Sequence, residues 1–267
     1  MTTENKIRTE SYTASGPVDV RVITKSGDVV VQTVPGHEVQ VRLVAGASDA
    51  SALLENAEVE FDSTSNTLVV RTMHDQFDSL TGLKTLFKKS SWTIGSDLDV
   101  MISVPEESSL EVKTASGDTQ CHGPLEKVQL HSASGDIRVS DPVVSLEVKT
   151  ASGDVVVGRV TELLECRSAS GDVRCASAAA RTDVATASGD VTVTAEQAGE
   201  ISVKAVSGDV RVNVASGLVI DVNGTTVSGD MGSSIPLDGS GDQDGDEETL
   251  TIRVSTVSGD FRITRAS

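Results

Sequence analysis

The chain has 267 residues, with 40 acidic and 22 basic side chains and a formal net charge of −18. Acidic residues are spread along the whole length, which argues against binding to nucleic acid or to an anionic membrane through bulk charge. The proportion of charged residues, 23%, is typical of a folded chain, and no apolar run approaches the roughly 18 residues of a membrane-spanning helix.

Residues 13–105 are predicted to form an irregular N-terminal β portion. Apolar residues alternate at Val18, Val20 and Val22, which is typical of a strand with one buried face. An outlying Ser26-Gly27-Asp28 then separates this strand from the next alternating stretch. The segment is therefore expected to contain several short strands.

Residues 73–97 break this alternation and are predicted to form a helical and aromatic flap. The segment holds three of the six aromatic residues and is locally basic in an acidic chain. We expect it to cover apolar surface on the early strands. The alternative is a segment, over residues 77–89, that docks onto a membrane surface or a partner protein. Its candidate contact residues are Phe77, Leu80, Leu83, Phe87 and Trp92.

Residues 106–267 are predicted to form a regular repeat array. The triplet Ser116-Gly117-Asp118 recurs with a constant step of 18 residues through Asp190, and apolar residues such as Leu110, Val112, Ile137 and Val139 alternate on either side of it. So short a period is typical of a β-solenoid, in which each period forms one coil. The predicted structural corners consist of Ser116, Gly117, Asp118, Gly135, Asp136, Gly153, Asp154, Gly171, Asp172, Gly189 and Asp190.

Each triplet is expected to turn the chain between two strands. Glycine supplies a backbone conformation that residues with a Cβ resist, and Ser and Asp can bond nearby backbone groups. Stacking in register would place the aspartates one strand spacing apart, so their repulsion must be offset. We expect backbone N–H groups to do this, as in an Asx-turn. A calcium-stabilised β-roll, with cations between the coils, is the alternative.

An acidic loop is predicted at residues 232–249, where the regular step is lost. Asp242, Asp244 and Asp246 resemble the first three ligands of an EF-hand loop, but Glu247 and Arg253 stand where that loop needs Gly and Glu. No metal site is therefore predicted, and calcium at these three aspartates is a minor alternative. A final strand pair that includes Phe261 is expected to close the array.

The spaced Ser-Gly-Asp-(Val/Ile) repeats resemble those of the bacterial putative-adhesin family of β-strand-repeat proteins, a family largely of unknown function. The resemblance extends over roughly residues 18–265 and implies a repetitive β fold. A literal adhesin must leave the cell, whereas the polar start of the sequence shows no secretion signal. Cytoplasmic localisation is therefore expected, in keeping with only three cysteines, Cys121, Cys166 and Cys175, all at inward positions.

These features together predict an all-β, single-chain, parallel and right-handed β-solenoid (β-helix) with 18-residue coils. The expected function is that of a non-enzymatic structural scaffold or protein-interaction module without a cofactor. Catalysis is not expected, because the strict coils have short loops and no histidine stands at a repeated offset from the triplets. The protein partner is unknown, nucleic acid is excluded, and self-association through exposed strand edges is an open alternative.

Overall fold

The computed structural model describes residues 6–46, 50–72, 98–235 and 249–266. Its regular elements are β-strands and one short helix. They are β1 (Lys6–Thr13), β2 (Asp19–Thr24), β3 (Val29–Val34), β4 (Glu38–Ala45), α1 (Ala50–Asn56), β5 (Glu58–Asp62), β6 (Thr67–Arg71), β7 (Leu98–Pro105), β8 (Ser109–Thr114), β9 (Thr119–His122), β10 (Leu125–Ser132), β11 (Ile137–Val139), β12 (Val143–Thr150), β13 (Val155–Ser170), β14 (Val173–Ser177), β15 (Arg181–Ser188), β16 (Val191–Ala195), β17 (Gly199–Ser207), β18 (Val210–Val214), β19 (Val219–Ser228), β20 (Met231–Ser233), β21 (Thr249–Ser258) and β22 (Phe261–Arg265).

The strands form two long sheets around one apolar core. Sheet 1 runs β5-β6-β2-β8-β10-β12-β13-β15-β17-β21-β19. Sheet 2 runs β1-β4-β7-β3-β9-β11-β13-β14-β16-β18-β22-β20. The long strand β13 contributes its first part to sheet 2 and its second part to sheet 1. The predicted all-β, solenoid-like class is confirmed.

A coil consists of one strand of sheet 1, a corner, and one strand of sheet 2. Successive coils pair in parallel, with Leu110 of β8 opposite Val128 of β10 and Leu146 of β12 opposite Leu164 of β13. The alternating apolar residues of both sheets point into the shared core, where Val148 and Val155 have no exposed surface. Each coil therefore buries its apolar edge only through the coils above and below it.

Chain order and stacking order differ at both ends of the array. The coil β2/β3 lies between β6/β7 and β8/β9. The coil β21/β22 lies between β17/β18 and β19/β20. The prediction that the final strand pair closes the array is therefore wrong, since β19/β20 lies beyond it in the stack. A shared alternating pattern lets coils pair without being neighbours in the sequence, and the ring of Phe261 packs beside Gly224 of β19.

The N-terminal end of the stack is built from antiparallel strands. Strand β4 pairs antiparallel with both β1 and β7, and β5 pairs antiparallel with β6. The guanidinium of Arg8 donates hydrogen bonds to the carbonyls of Leu54 and Ala57, at 2.8 and 2.7 Å, and so fixes the end of α1 against β1. Both sheets continue across residue 105, because β2 pairs with β8 and β3 pairs with β9. The domain division there stays a prediction.

Three buried thiols lie in the middle coils. Cys121, Cys166 and Cys175 are free cysteines that fill inward positions. Burial raises the pKa of the Cys121 and Cys166 thiols to about 12 and that of Cys175 to about 11. They are therefore neutral, apolar core residues at physiological pH.

Candidate functional site

The corner glycines stack so closely that no side chain fits between coils. At Gly153, φ is +121° and a Cβ would lie 2.2 Å from the carbonyl oxygen of Gly135. The same 2.2 Å approach occurs between Gly135 and Gly117 and between Gly171 and Gly153. Glycine is therefore required here both for its left-handed backbone and for the contact between neighbouring corners.

The corner aspartates form a continuous hydrogen-bonded row, named here the aspartate ladder. The backbone N–H of each aspartate except the first, Asp99, donates to the carboxylate of the preceding aspartate in the stack, at 2.8–3.0 Å. The expected donor was a local N–H of an Asx-turn, whereas the observed donor belongs to the next coil. In stacking order the ladder is Asp99, Asp28, Asp118, Asp136, Asp154, Asp172, Asp190, Asp209, Asp260 and Asp230.

Arginines supply the positive charge beside this row. Arg174 lies 2.7 Å from the Asp172 carboxylate and 3.8 Å from that of Asp154, and Arg262 lies 2.9 Å from that of Asp260. Within the described ranges, no group of three or more His, Cys, Asp or Glu side chains is arranged to hold a metal ion. The ladder carboxylates thus take part in backbone bonding between coils. The candidate calcium residues Asp242, Asp244 and Asp246 lie outside the described residues.

The residue just before each Ser-Gly-Asp forms a second column on the surface. This residue is alanine in the middle coils, as at Ala151 and Ala187, but valine in the last three coils. These valines, the valine column, are Val206, Val257 and Val227, with exposed fractions of 55%, 49% and 79%. Sequence reasoning missed this change, although aligning the coils on Ser-Gly-Asp would have shown it. The apolar surface of the array is therefore concentrated at one end.

A column of basic side chains runs along the outer face of sheet 1 and is interrupted once. Lys113, His131, Lys149 and Arg167 follow one another in register, Ala185 comes next, and Lys204 resumes the column. Burial, followed by the positive charge of Lys149, lowers the pKa of His131, which is therefore neutral at physiological pH. The small side chain of Ala185 leaves a gap between two cations.

This gap is a shallow depression of about 360 Å³, named here the alanine groove. Its walls include Arg167 and Lys204, and it opens toward Ala187 and Val206. Arg167 is 2.6 Å from Glu165, whereas Lys204 forms no ion pair within the described part of the chain. The groove thus combines an apolar floor with a cation on each side. The sequence signal for it was Ala185 in an otherwise basic column.

The predicted flap does not enter this arrangement. Phe77, Leu80, Leu83, Phe87 and Trp92 all lie outside the described residues. Across residues 6–46, 50–72, 98–235 and 249–266, no helix is long and apolar enough to cross a membrane.

The paired coils, the glycine stack and the aspartate ladder define a solenoid-like β-repeat protein. The model of the Toastrack DUF4097 family matches residues 66–264, well over half of the chain, so the chain belongs to that family. This supports the sequence-based assignment to a putative-adhesin-like family of unknown function. No curated protein matches the chain.

Two solved structures share the architecture along nearly their whole length. A putative adhesin from Bacteroides fragilis is 13% identical, with a TM-score of 0.52 over 98% of this chain and 99% of that one. A putative lipid binding protein from Parabacteroides distasonis is also 13% identical, with a TM-score of 0.50 over 97% of each chain. At this identity the similarity concerns the fold alone.

Proposed function

We propose that the protein is a non-enzymatic interaction module, a stiff scaffold that holds a partner protein at the alanine groove. The observation that carries this proposal is the single interruption of the basic column at Ala185, which opens a recess between Arg167 and Lys204. The two similar structures are named a putative adhesin and a putative lipid binding protein, and both names are compatible with a binding role.

The groove belongs to a part of the molecule that needs little reorganisation on binding. Strands β13, β15 and β17, which carry it, pair along their lengths on both sides. Their corners are joined by ladder bonds of 2.9 Å from Asp154 through Asp209. A preformed surface loses little conformational entropy on binding, which favours recognition by a shallow site.

The lining of the groove defines the chemistry of its occupant. Ala185 and Ala187 offer an apolar floor, and Val206 extends it toward the corner. Arg167 and Lys204 stand two coils apart, about 10 Å at the usual spacing of strands. A protein segment with an apolar side chain flanked by a carboxylate matches this lining, since an acidic group can pair with the Lys204 ammonium, which has no ion pair among the described residues.

Filling the groove with one side chain tests the proposal. Ala185→Lys completes the basic column with a residue that the same column already accepts at Lys149 and Lys204, so folding should be preserved. Affinity capture from the native cell, with quantitative mass spectrometry, should recover partners with the wild type and lose them with Ala185→Lys. His131→Lys adds the same charge in the same column away from the groove and should retain them. Equal recovery by all three proteins would refute the groove as the binding surface.

The remaining sequence predictions are part of this proposal. A right-handed coil and a cytoplasmic location are proposed, to be measured by crystallography and by fractionation of the native cell. Membrane docking through residues 77–89 stays an alternative, and co-sedimentation with anionic vesicles tests it. Calcium stabilisation is the other alternative, and a melting temperature unchanged between calcium and chelator would exclude it.

A further inference from the structure

The two ends of the stack differ in how their strand edges are protected. At the N-terminal end the outermost strands are β1 and β5, and both carry several charges: Lys6, Arg8 and Glu10 on one, Glu58, Glu60 and Asp62 on the other. Charged or short edge strands resist pairing with another chain. At the other end, named here the open end, the last of the described strands are β19 and β20.

The open end carries little such protection. Strand β19 has ten residues, of which only Asp221 is charged. In the described part of the chain it pairs with β21 alone, and β20 pairs with β22 alone. A long, nearly uncharged edge with free backbone N–H and C=O groups is a template for another strand.

The core is also incompletely covered at the open end. Ile220 and Val222 point inward in register with Leu250 and Ile252, which are 1% and 0% exposed. Ile220 and Val222 themselves are only half-buried, because no further coil of the described chain lies beyond them. An apolar interior that stops without a cap gains by contact with another apolar surface.

Exposed apolar side chains cluster around this same end. Seven large hydrophobic side chains are exposed in the described residues, and four of them lie on the last three coils. These four are Val206, Val257, Val227 and Met231. Apolar residues concentrated beside an unpaired edge mark an interaction surface.

We propose that the open end is the interface of a symmetric dimer of this chain, in which β19 of one copy pairs antiparallel with β19 of the other. A second copy supplies what the edge lacks: a strand of equal length, and an equally uncovered core end. Pairing of an open end with the charged N-terminal end of another copy is disfavoured. The contact is therefore isologous and closes at two copies, without forming a filament.

The register of this pairing avoids a clash of charge. The inward-facing residues of the two copies lie on the same face of the joined sheet only if the two-fold axis passes through a residue position and not between two residues. Overlap of nearly the whole of β19 places this position at Asn223 or Gly224. Asp221 then faces Thr225 or Val227 of the other copy, and not its own equivalent. The interface would consist only of the two β19 edges and the uncovered apolar residues at the end of each core. Because so small an interface binds weakly, the dimer should dissociate on dilution.

A lysine at the edge tests the interface in the full-length chain. Sedimentation velocity over a roughly hundred-fold concentration range should show a monomer–dimer equilibrium for the wild type. Asn223→Lys brings two like charges together at or beside the axis and should give a monomer. Ser202→Lys adds the same charge in the same column two coils further in, and should leave the dimer intact. Equal melting temperatures of the two variants would show that Asn223→Lys folds.

A cysteine provides the positive test. Asn223→Cys lies at or beside the proposed axis, and mild oxidation should convert it to a covalent dimer, since the native thiols are buried. Ser202→Cys, in the same column two coils further in, should remain a monomer. A wild type that is monomeric at all concentrations, a dimer that survives Asn223→Lys, or species larger than dimers would each overturn the proposal.

Discussion

The middle coils and the two ends of the stack differ in how the stacking order of the coils follows the sequence. From β8 to β18 every coil lies next to its sequence neighbour, with equivalent residues such as Leu110 and Val128 directly opposite. At each end a coil from elsewhere in the sequence is inserted, β2/β3 at one end and β21/β22 at the other. Yet the aspartate ladder runs without interruption through both regions, since Asp28 and Asp260 each take their place in it.

This comparison separates what makes a coil from what orders the coils. The Ser-Gly-Asp corner and the alternating apolar residues make any coil compatible with any other. The order at the ends must come from finer fit, such as the ring of Phe261 against Gly224. The inserted coil β21/β22 also fits less perfectly: the hydroxyl of Thr114 donates to the Ser116 carbonyl at 3.0 Å, whereas the buried hydroxyl of Thr256 has no hydrogen-bond partner among the described residues.

The largest effect is expected at a glycine inside the stack. Gly153→Ala places a Cβ 2.2 Å from the Gly135 carbonyl oxygen and also strains the backbone at φ +121°. We expect a loss of about 4 kcal/mol in the free energy of unfolding, measured by urea denaturation. Gly217, between β18 and β19, has φ +93°, but no atom lies within 4 Å of the point that a Cβ would occupy, so Gly217→Ala should lose only about 1–2 kcal/mol. Equal losses would show that the glycine contact adds nothing.

A smaller effect is expected from alkaline pH, which acts on the middle coils through their thiols. Burial raises the pKa of Cys121 and Cys166 from 9.0 to about 12, so the folded state holds the proton after the unfolded state has released it. Stability is therefore unaffected below pH 9 and falls as the pH rises above it, by roughly 1 kcal/mol for each thiol at pH 10.

Urea denaturation between pH 8 and pH 10 measures this fall. A variant with alanine at all three cysteines has lower stability throughout, but should lose the part of the pH dependence that the thiols cause. An unchanged pH dependence in that variant would contradict the assignment.

The smallest effect is expected at the aspartate ladder, and it should depend on position. Asp154→Ala removes the carboxylate that accepts the Asp172 N–H at 2.9 Å, and we expect a loss of about 1 kcal/mol because the bond is partly exposed. Asp230 is the last member, and its carboxylate accepts no backbone N–H from the described residues. Asp230→Ala should therefore be nearly neutral in thermal unfolding. A comparable loss at both positions would mean that the ladder bonds do not stabilise the stack.

The repeated unit of the fold could be predicted from the sequence, because it depends on residues that are close together in the chain. Alternation around Ser116-Gly117-Asp118 indicated two strands and a corner, and the constant step placed Leu110, Val128 and Leu146 in one file, as the pairing has them. The inserted coils could not be predicted, since local pattern does not distinguish one compatible neighbour from another. For this reason the sequence predicts, wrongly, that the strand pair with Phe261 closes the array.

The candidate surfaces were harder to predict than the coils. The basic column was visible in the sequence, but a groove exists only where Ala185 falls between Arg167 and Lys204 in space. The donor to each ladder carboxylate likewise depends on the next coil and not on the residues beside it. Both the groove and the ladder bonds arise from contacts between coils, so the sequence of a single period cannot predict them.

The insertion of β21/β22 has a consequence for biosynthesis. Strands β19 and β20 leave the ribosome before β21 and β22, with which they pair in the folded protein. At that moment β17 and β18 are their nearest parallel partners. In the folded protein, however, β17 and β18 pair with β21 and β22, which are translated later. A nascent chain must therefore either delay the docking of residues 219–235 or undo it, so the outermost coil at this end is not the last coil that the ribosome releases.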